Sequence, residues 1–398
     1  MKTSKKYFSI IFCIIYLLYA GAAFFNGLPK VIEAVKLRFP NASWLTYEVN
    51  TAGKAAMPLQ SELLEQHASI LNLLGKQESG GFEIITGVDG AFIKNVKNDW
   101  NRTEVEQKAI KLYELKQDLE EEKQDTEIMF ISPVPQVAED HTRVVNNFPI
   151  YDQNNLMETF LYDLTSYNIP FLNSSSILKR SSLDASEYVY KTDTKLTTLS
   201  SFMIYQGLIG ELNYKYDELL DPSGELTDLD SFSSEVYEDI FMGSLTAQAG
   251  VSFTGKEDFT AVLPEFETNL TYEAFGYGNV KVNGSFEEVL FYDKFLDPQQ
   301  AYSDSVYSAY MEGGRYFQRK ITNQNIQNDV KVLFIHDASA LPLISFMSLA
   351  VEEVHAYWPE AASQGQEFDV LEYVKENDID YVFFTSENYY YSLDGLFN

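Results

Sequence analysis

Three short apolar runs, each ending in a polar loop, constrain the fold of this chain more than any other feature. They cover 128–131, Lys331–Ile335 and 381–384. A continuous apolar run of this length is typical of a strand that is buried on both faces of a parallel sheet. Patterns typical of amphipathic helices lie over 104–123 and 155–167. Strands that alternate with helices predict an α/β fold in layers around a mostly parallel sheet.

Weaker local patterns extend this interpretation. Apolar residues at helical spacing follow Ser61 and, further on, the threonine pair 197–198. Two apolar runs around Gly87 predict a hairpin over 82–93, and 169–172 repeats the buried-strand pattern. Residues 211–240 contain ten acidic residues and one lysine, and we interpret them as a solvated acidic insertion in a domain that covers 46–398.

The first 25 residues have the pattern of an export signal. Lysines at positions 2, 5 and 6 precede an uncharged run over 7–25, and a basic segment before an apolar run directs export. The run approaches the roughly 20 residues that span a bilayer, and the lysines favour a cytoplasmic N-terminus. We predict a single-pass protein of the cell membrane, with a juxtamembrane linker over 26–45 and an extracytoplasmic C-terminal domain. Cleavage of a signal peptide near the A-x-A-like site at 20–22 would give a secreted protein instead.

Charge and composition exclude several classes of function. The 398-residue chain has 29 basic and 59 acidic residues, a net charge of −30, whereas a nucleic-acid-binding protein needs a basic face. One cysteine excludes a disulfide framework, and no Cys/His cluster has the spacing of a zinc site. We expect neither a metal nor another cofactor. Catalysis by imidazole must use one of four histidines, at positions 67, 141, 336 and 355.

Six motif blocks in a shared order carry a resemblance to a known family. The blocks are LGK…GAFI over 74–93, PIYDQ over 149–153, YKTDTKLTT over 190–198, FMGSL over 241–245, YMEGG over 310–314 and KVLFIHDASALPLISFM over 331–347. In this order they resemble the DHHW family of exported bacterial proteins, relatives of the alginate O-acetyltransferases. The resemblance implies an SGNH-hydrolase-like three-layer α/β/α sandwich. It also implies a place beside cell-surface polysaccharide O-acylation.

The positions that match the family's catalytic triad depart from its pattern. In the family a serine in a DS dipeptide is the nucleophile, and the D-x-H of DHHW completes the triad, since imidazole takes the serine proton and carboxylate orients the imidazole. Here Asp193 is retained, but Lys195 stands at the histidine position. The dipeptide reads Asp337-Ala338, so the nucleophile position has no hydroxyl. The resemblance therefore implies a degenerate triad and a catalytically inactive binding or scaffold component.

Other residues around these blocks leave a second interpretation open. Arg315 follows Gly314 where the family has an asparagine, an oxyanion-type donor. With Gly243 and His336 these two residues make up the predicted substrate-binding set. Ser339 lies one residue beyond the nucleophile position, and an active O-acetyltransferase or carbohydrate esterase would use it with His336 or a desolvated lysine as base.

Partners follow from the resemblance and from the charge. The resemblance implies a cell-surface polysaccharide and a membrane-bound O-acyltransferase as partners, and the −30 charge favours a neutral or cationic glycan over an acidic one. A surface adhesion or assembly protein without any link to acylation is a third hypothesis.

Overall fold

The computed structural model describes residues 60–95, 102–122, 125–136, 154–276, 279–296, 306–359 and 368–385, together with Gly21 and Phe148. The predicted signal or anchor over 7–25, Gly21 apart, and the linker over 26–45 lie outside these residues. Within the described ranges, no helix combines the length and the apolar character needed to cross a membrane.

Helices and strands alternate along the described chain. The helices are α1 (Gln60–Leu73), α2 (Arg102–Glu121), α3 (Asn154–Ser166), α4 (Ser174–Arg180), α5 (Thr198–Lys215), α6 (Ser244–Ala249), α7 (Val251–Thr254), α8 (Phe286–Leu290), α9 (Leu341–Met347) and α10 (Val370–Asn377). The strands are β1 (Glu78–Ser79), β2 (Ile84–Thr86), β3 (Phe92–Lys94), β4 (Glu127–Ile131), β5 (Phe171–Leu172), β6 (Phe232–Phe241), β7 (Glu257–Pro264), β8 (Leu270–Gly276), β9 (Val280–Gly284), β10 (Tyr316–Asn323), β11 (Lys331–Ile335), β12 (Glu353–Tyr357) and β13 (Tyr381–Thr385).

An eight-stranded sheet lies at the centre, in the order β5-β4-β13-β11-β12-β10-β8-β9. The first five of these strands run parallel to one another. They include the three apolar runs, so the prediction of a buried parallel sheet is confirmed for this part. The remaining three strands add antiparallel pairs at one edge, which makes the complete sheet mixed.

Helices cover the two faces of the parallel strands and give the three layers. On one face α5 and α9 bury Phe202 and Phe346 against Phe334 of β11. On the other face α2 and α3 bury Leu112 and Phe160 against strand residues that point the opposite way. Because the side chains of a strand alternate between faces, the apolar runs supply both cores at once.

Smaller elements surround this domain centre. The strands β2 and β3 form the hairpin expected over 82–93, with Ile85 opposite Ile93, and β6 pairs with β7 in a separate antiparallel sheet. Residues 211–240 are divided among the end of α5, a connecting loop and most of β6. Leu220 and Phe232 of this stretch are buried in the core, so it is not solvated throughout.

Candidate functional site

The carboxyl ends of β4, β13 and β11 border a small cavity. In open α/β sheets the ligand crevice lies at this edge, where the strand order reverses. Here the chain passes from β4 to β5 towards one edge of the sheet, and from β11 to β12 towards the opposite edge. The cavity measures about 30 Å³, which is room for roughly two water molecules. Its polar lining includes Ser132, Thr194, Ser201, Ser339 and Thr385.

The loop over 190–198 is fixed beside this cavity by Glu257 of β7. The backbone amides of Lys191 and Thr192 donate to the Glu257 carboxylate at 2.9 and 2.7 Å, and the Thr192 hydroxyl donates at 2.5 Å. Burial raises the pKa of Glu257, while these three donors favour its charged form. The loop is therefore held by several hydrogen bonds that a sequence motif does not reveal.

Gly243 holds the same loop from the other side. Its amide donates to Thr192 Oγ1 at 3.1 Å, and the next turn donates from Leu245 N to Thr192 O at 3.0 Å. A Cβ at Gly243 would clash with the Thr192 carbonyl and lie 2.6 Å from Cβ of Asp193. Gly243 is predicted to bind substrate. In the structure it lies where the start of α6 packs tightly against the loop.

Asp193 and Lys195 form an ion pair within this loop. The carboxylate of Asp193 is buried and accepts from Lys195 Nζ at 3.1 Å, from Ser244 N at 3.0 Å and from Ser244 Oγ at 2.8 Å. Burial opposes ionisation of Asp193, but the charge of Lys195 and the Ser244 hydrogen bonds outweigh it and lower its pKa. The carboxylate is thus charged and orients an ammonium rather than an imidazole.

The turn after β11 holds the predicted nucleophile position. Asp337 caps this turn by accepting from Ser339 N at 2.8 Å, and Ser339 Oγ donates to the same Asp337 oxygen at 2.5 Å. Ala338 between them presents only a methyl group. Because Ser339 and Thr194 line the same cavity, the loop and the turn that the motifs single out do meet in space.

Tyr307 connects the turn with the loop, and sequence reasoning missed it. Its hydroxyl donates to Ser339 O at 2.9 Å. Burial raises the pKa of Tyr307 well above its usual range, and the negative charge of Asp193 acts in the same direction. Tyr307 lies in a short 3₁₀ turn without periodicity, so no local signal marks it.

His336 is fully buried under the same turn. Its Nδ1 donates to Asp337 O at 2.7 Å and its ring lies 5.8 Å from the ring of Trp358. Burial and the charge of Arg319 lower the pKa of His336 to about 3. A histidine with this pKa is neutral at pH 7 and is a weak general base.

Arg319 of β10 is a buried cation that no motif marks. Its guanidinium is fully buried, donating to Tyr272 OH at 3.2 Å and to the carbonyl of Gly313. Among the described residues its Nη1 has no hydrogen-bond partner. Alternation along β10 places this residue on the same face as Ile321, but the register shift between Tyr316 and Gln318 hides that alternation from the sequence.

Gly314 and Arg315 lie in a 3₁₀ turn before β10. The half-exposed guanidinium of Arg315 pairs with Glu312 at 3.4 Å and lies 5.6 Å from the ring centre of Tyr316. Within the part of the chain that the structure describes, its contacts do not include Asp193 or the turn over 337–339. The role of Arg315 as an oxyanion-type donor stays a prediction.

Side chains that could ligate a metal are scattered over the fold. Across the described ranges, no three His, Cys, Asp or Glu side chains are grouped so that they could hold a metal ion. The polar side chains that line the cavity are the hydroxyls of Ser132, Ser174, Thr194, Ser201, Ser339 and Thr385.

The layered α/β fold, with its loop and turn at the carboxyl edge of the sheet, is shared by solved structures. A DHHW family protein from Eubacterium siraeum DSM 15702 matches with a TM-score of 0.56 and 15% identity, over 79% of this chain and 94% of that chain. PatB1 of Bacillus cereus matches with a TM-score of 0.57 and 18% identity, over 76% and 95%. PatB1 with a sulfonyl adduct gives a TM-score of 0.59 at 18% identity, over 76% and 93%.

These matches concern the fold. The resemblance to the DHHW family that the motif order indicates is confirmed at this level. No family model and no curated protein matches the sequence.

Proposed function

We propose that this protein is a non-catalytic component of cell-surface polysaccharide O-acylation. The observation that carries the proposal is the composition of the site. Lys195 is ion-paired to Asp193 where the family has histidine, and Ala338 occupies the nucleophile position. The shared fold and the order of the motif blocks support the link to O-acylation. The changes at positions 195 and 338 support the proposed absence of catalysis.

The remaining groups at the site are poor substitutes for a triad. Lys195 Nζ lies 3.1 Å from the buried Asp193 carboxylate, and an ammonium has no lone pair to accept a proton. The imidazole of His336 is buried and neutral, with a pKa of about 3. The cavity of about 30 Å³ is also far below the roughly 300–1,000 Å³ of small-molecule sites. A sugar and an acyl donor do not fit there together.

Tethering and partners belong to the same proposal. The apolar run over 7–25 would hold the domain at the outer face of the cell membrane. A membrane-bound O-acyltransferase is the proposed protein partner, and a neutral or cationic glycan is the proposed polymer, since a −30 molecule repels an acidic polymer.

An active O-acetyltransferase or esterase is the second candidate, and one contact favours it. Ser339 Oγ lines the cavity and donates to Asp337 Oδ1 at 2.5 Å, so a carboxylate stands where it could accept the serine proton. This pair lacks an imidazole between base and nucleophile, which the usual mechanism requires.

Labelling and acetyl release separate the two candidates. The purified full-length protein is treated with phenylmethylsulfonyl fluoride and, separately, with an aryl acetate, beside Ser339→Ala and the exposed-loop control Ser223→Ala. PatB1, which has been captured with a sulfonyl adduct, is the positive control for labelling. We expect no adduct and no acetate release above the buffer rate. An adduct or acetate release that only Ser339→Ala abolishes would overturn the proposal in favour of the enzyme.

A further inference from the structure

An open groove of about 510 Å³ lies beyond the ends of β8 and β12 and the beginning of β10. None of the motif blocks includes it. Its side-chain lining consists of aromatic rings and two amides: Phe275, Asn279, Phe317, Gln318, Tyr357 and Phe368.

Two partly exposed phenylalanines of this groove pack on Tyr357, which is itself buried. Phe368 lies flat on Tyr357, with ring centres 3.7 Å apart and planes at 11°, and Phe317 meets Tyr357 edge-on at 6.4 Å. Phe275 lies opposite Gln318 in the β8–β10 register. The three phenylalanines are only partly buried, although burying aromatic surface in the core would stabilise the fold. Partly exposed rings grouped in one groove indicate a binding surface.

A chain of hydrogen bonds orients the amide of Gln318 in this groove. Gln318 Nε2 donates to Tyr373 OH at 3.3 Å, and this hydroxyl lies 2.8 Å from His355 Nδ1. His355 Nε2 in turn lies 3.2 Å from Glu353, which also accepts from Lys320 at 2.8 Å. If Tyr373 donates to Nδ1 and Nε2–H donates to Glu353, every group in the chain is satisfied. The amide is thereby held in place before any ligand binds.

We infer that this groove binds a neutral polysaccharide chain. Its lining contains no carboxylate, ammonium or guanidinium group among the described residues, although the whole molecule carries a charge of −30. The C–H faces of a sugar ring pack on aromatic faces, and amides both donate to and accept from sugar hydroxyls. The volume lies within the range of small-ligand sites. The inference deepens the proposed function and rests on it for the choice of a polysaccharide.

The groove lies directly beside the turn of the candidate site. His336 N donates to Tyr357 O at 3.0 Å, so a residue under the turn is bonded to a residue of the groove. Ile335, the last residue of β11, is also the register partner of Tyr357. A glycan in the groove is therefore presented at the same edge of the sheet as the altered triad.

Calorimetric titration of the full-length protein in detergent tests the inference. The probes are the neutral hexamers cellohexaose, maltohexaose and N-acetylchitohexaose, with hexagalacturonate as the acidic comparison. We expect at least one neutral hexamer to bind more tightly than the acidic one. Phe275→Ala and Gln318→Ala should each weaken that binding fivefold or more, whereas Val282→Ala, an exposed apolar site on β9, should not. Circular dichroism verifies that the variants fold.

Two results would overturn the inference: no heat with any neutral hexamer, or unchanged affinity in both groove variants. Failure of the proposed function would be seen in a different experiment, the measurement of acetate release. Ser339-dependent acetate release would show an enzyme, whether or not the groove variants lose the hexamer.

Discussion

Lys195 Nζ lies 3.1 Å from Asp193 Oδ1, where the family resemblance places a histidine beside its aspartate. The carboxylate orients the side chain two residues further on, and Ser244 donates to that carboxylate. The change is chemical: an ammonium donates hydrogen bonds but cannot accept the proton of a serine. The aspartate and the side chain that it orients are therefore present, but the imidazole that would accept the serine proton is not.

Removing the cation from this pair should destabilise the protein. Lys195→Met leaves the buried Asp193 carboxylate without its counter-charge, and breaking a buried pair in this way costs about 3 kcal/mol. We expect that loss of unfolding free energy in urea at pH 7, with a smaller loss at pH 4, because an unpaired buried carboxylate can protonate.

The double variant Lys195→Met/Asp193→Asn is the control for this prediction. It removes both charges, so it should be less destabilised than the single variant at pH 7. A single variant within about 0.5 kcal/mol of the wild type, the range of an ordinary surface change, would show that the pair does not stabilise the loop.

Gly243 should tolerate no side chain. In Gly243→Ala the new methyl meets the Thr192 carbonyl and Cβ of Asp193, and overpacking of this kind costs about 2 kcal/mol. Gly210→Ala is the matched control, because Gly210 lies within α5 with nothing within 4 Å of the place a methyl would occupy, and alanine favours helix. Thermal unfolding should show a lower midpoint for the first variant and an equal or higher one for the second. Equal midpoints for both variants would contradict the close approach.

The buried parallel strands could be predicted from sequence because their patterns leave few alternatives. The runs in β4, β11 and β13 are apolar at successive positions, which suits only an element that is covered on both faces. The loop over 190–198 and the turn over 337–339 were found through the motif order, and they do meet at one cavity.

The antiparallel edge and the groove could not be predicted in the same way. The strand β10 carries Arg319 among polar residues, and its register shifts between Tyr316 and Gln318, so neither its pattern nor its pairing is visible locally. The groove combines Phe275, Gln318 and Phe368 from three distant segments, which only the fold brings together. Glu257 was likewise invisible, since its role depends on where β7 lies.

The hydrogen-bond chain behind the groove should make the free energy of unfolding depend on pH in the acidic range. The hydrogen bond from His355 and the proximity of Lys320 lower the pKa of Glu353 to about 2, from 4.5, although burial opposes the shift. A lowered folded-state pKa gives stability that is fully present above pH 4.5 and is lost as the pH falls towards 2. We expect a loss of about 2 kcal/mol, somewhat below the full linkage value because the carboxylate is partly solvated.

Urea denaturation between pH 5 and pH 2 measures this dependence. Glu353→Gln should reduce the loss of unfolding free energy in that window by about 2 kcal/mol, and the exposed Glu225→Gln should leave it as in the wild type. If Glu353→Gln retains the full acid dependence, the stabilising carboxylates lie elsewhere.

Restoring the two altered positions tests whether they alone account for the proposed lack of catalysis. In Lys195→His/Ala338→Ser the new imidazole can donate to Asp193 in place of Lys195, and the new hydroxyl stands at the family's nucleophile position. We expect this double variant to form an adduct with phenylmethylsulfonyl fluoride, detected by intact mass spectrometry and located at position 338 by peptide mapping. Each single variant serves as a control and should react at least tenfold more slowly, because nucleophile and base act as a unit. A double variant that folds but reacts no faster than the wild type would show that the cavity beside Ser339 is itself too small for the reagent. The proposed lack of catalysis would then be attributed to loss of the substrate space rather than to loss of the two residues.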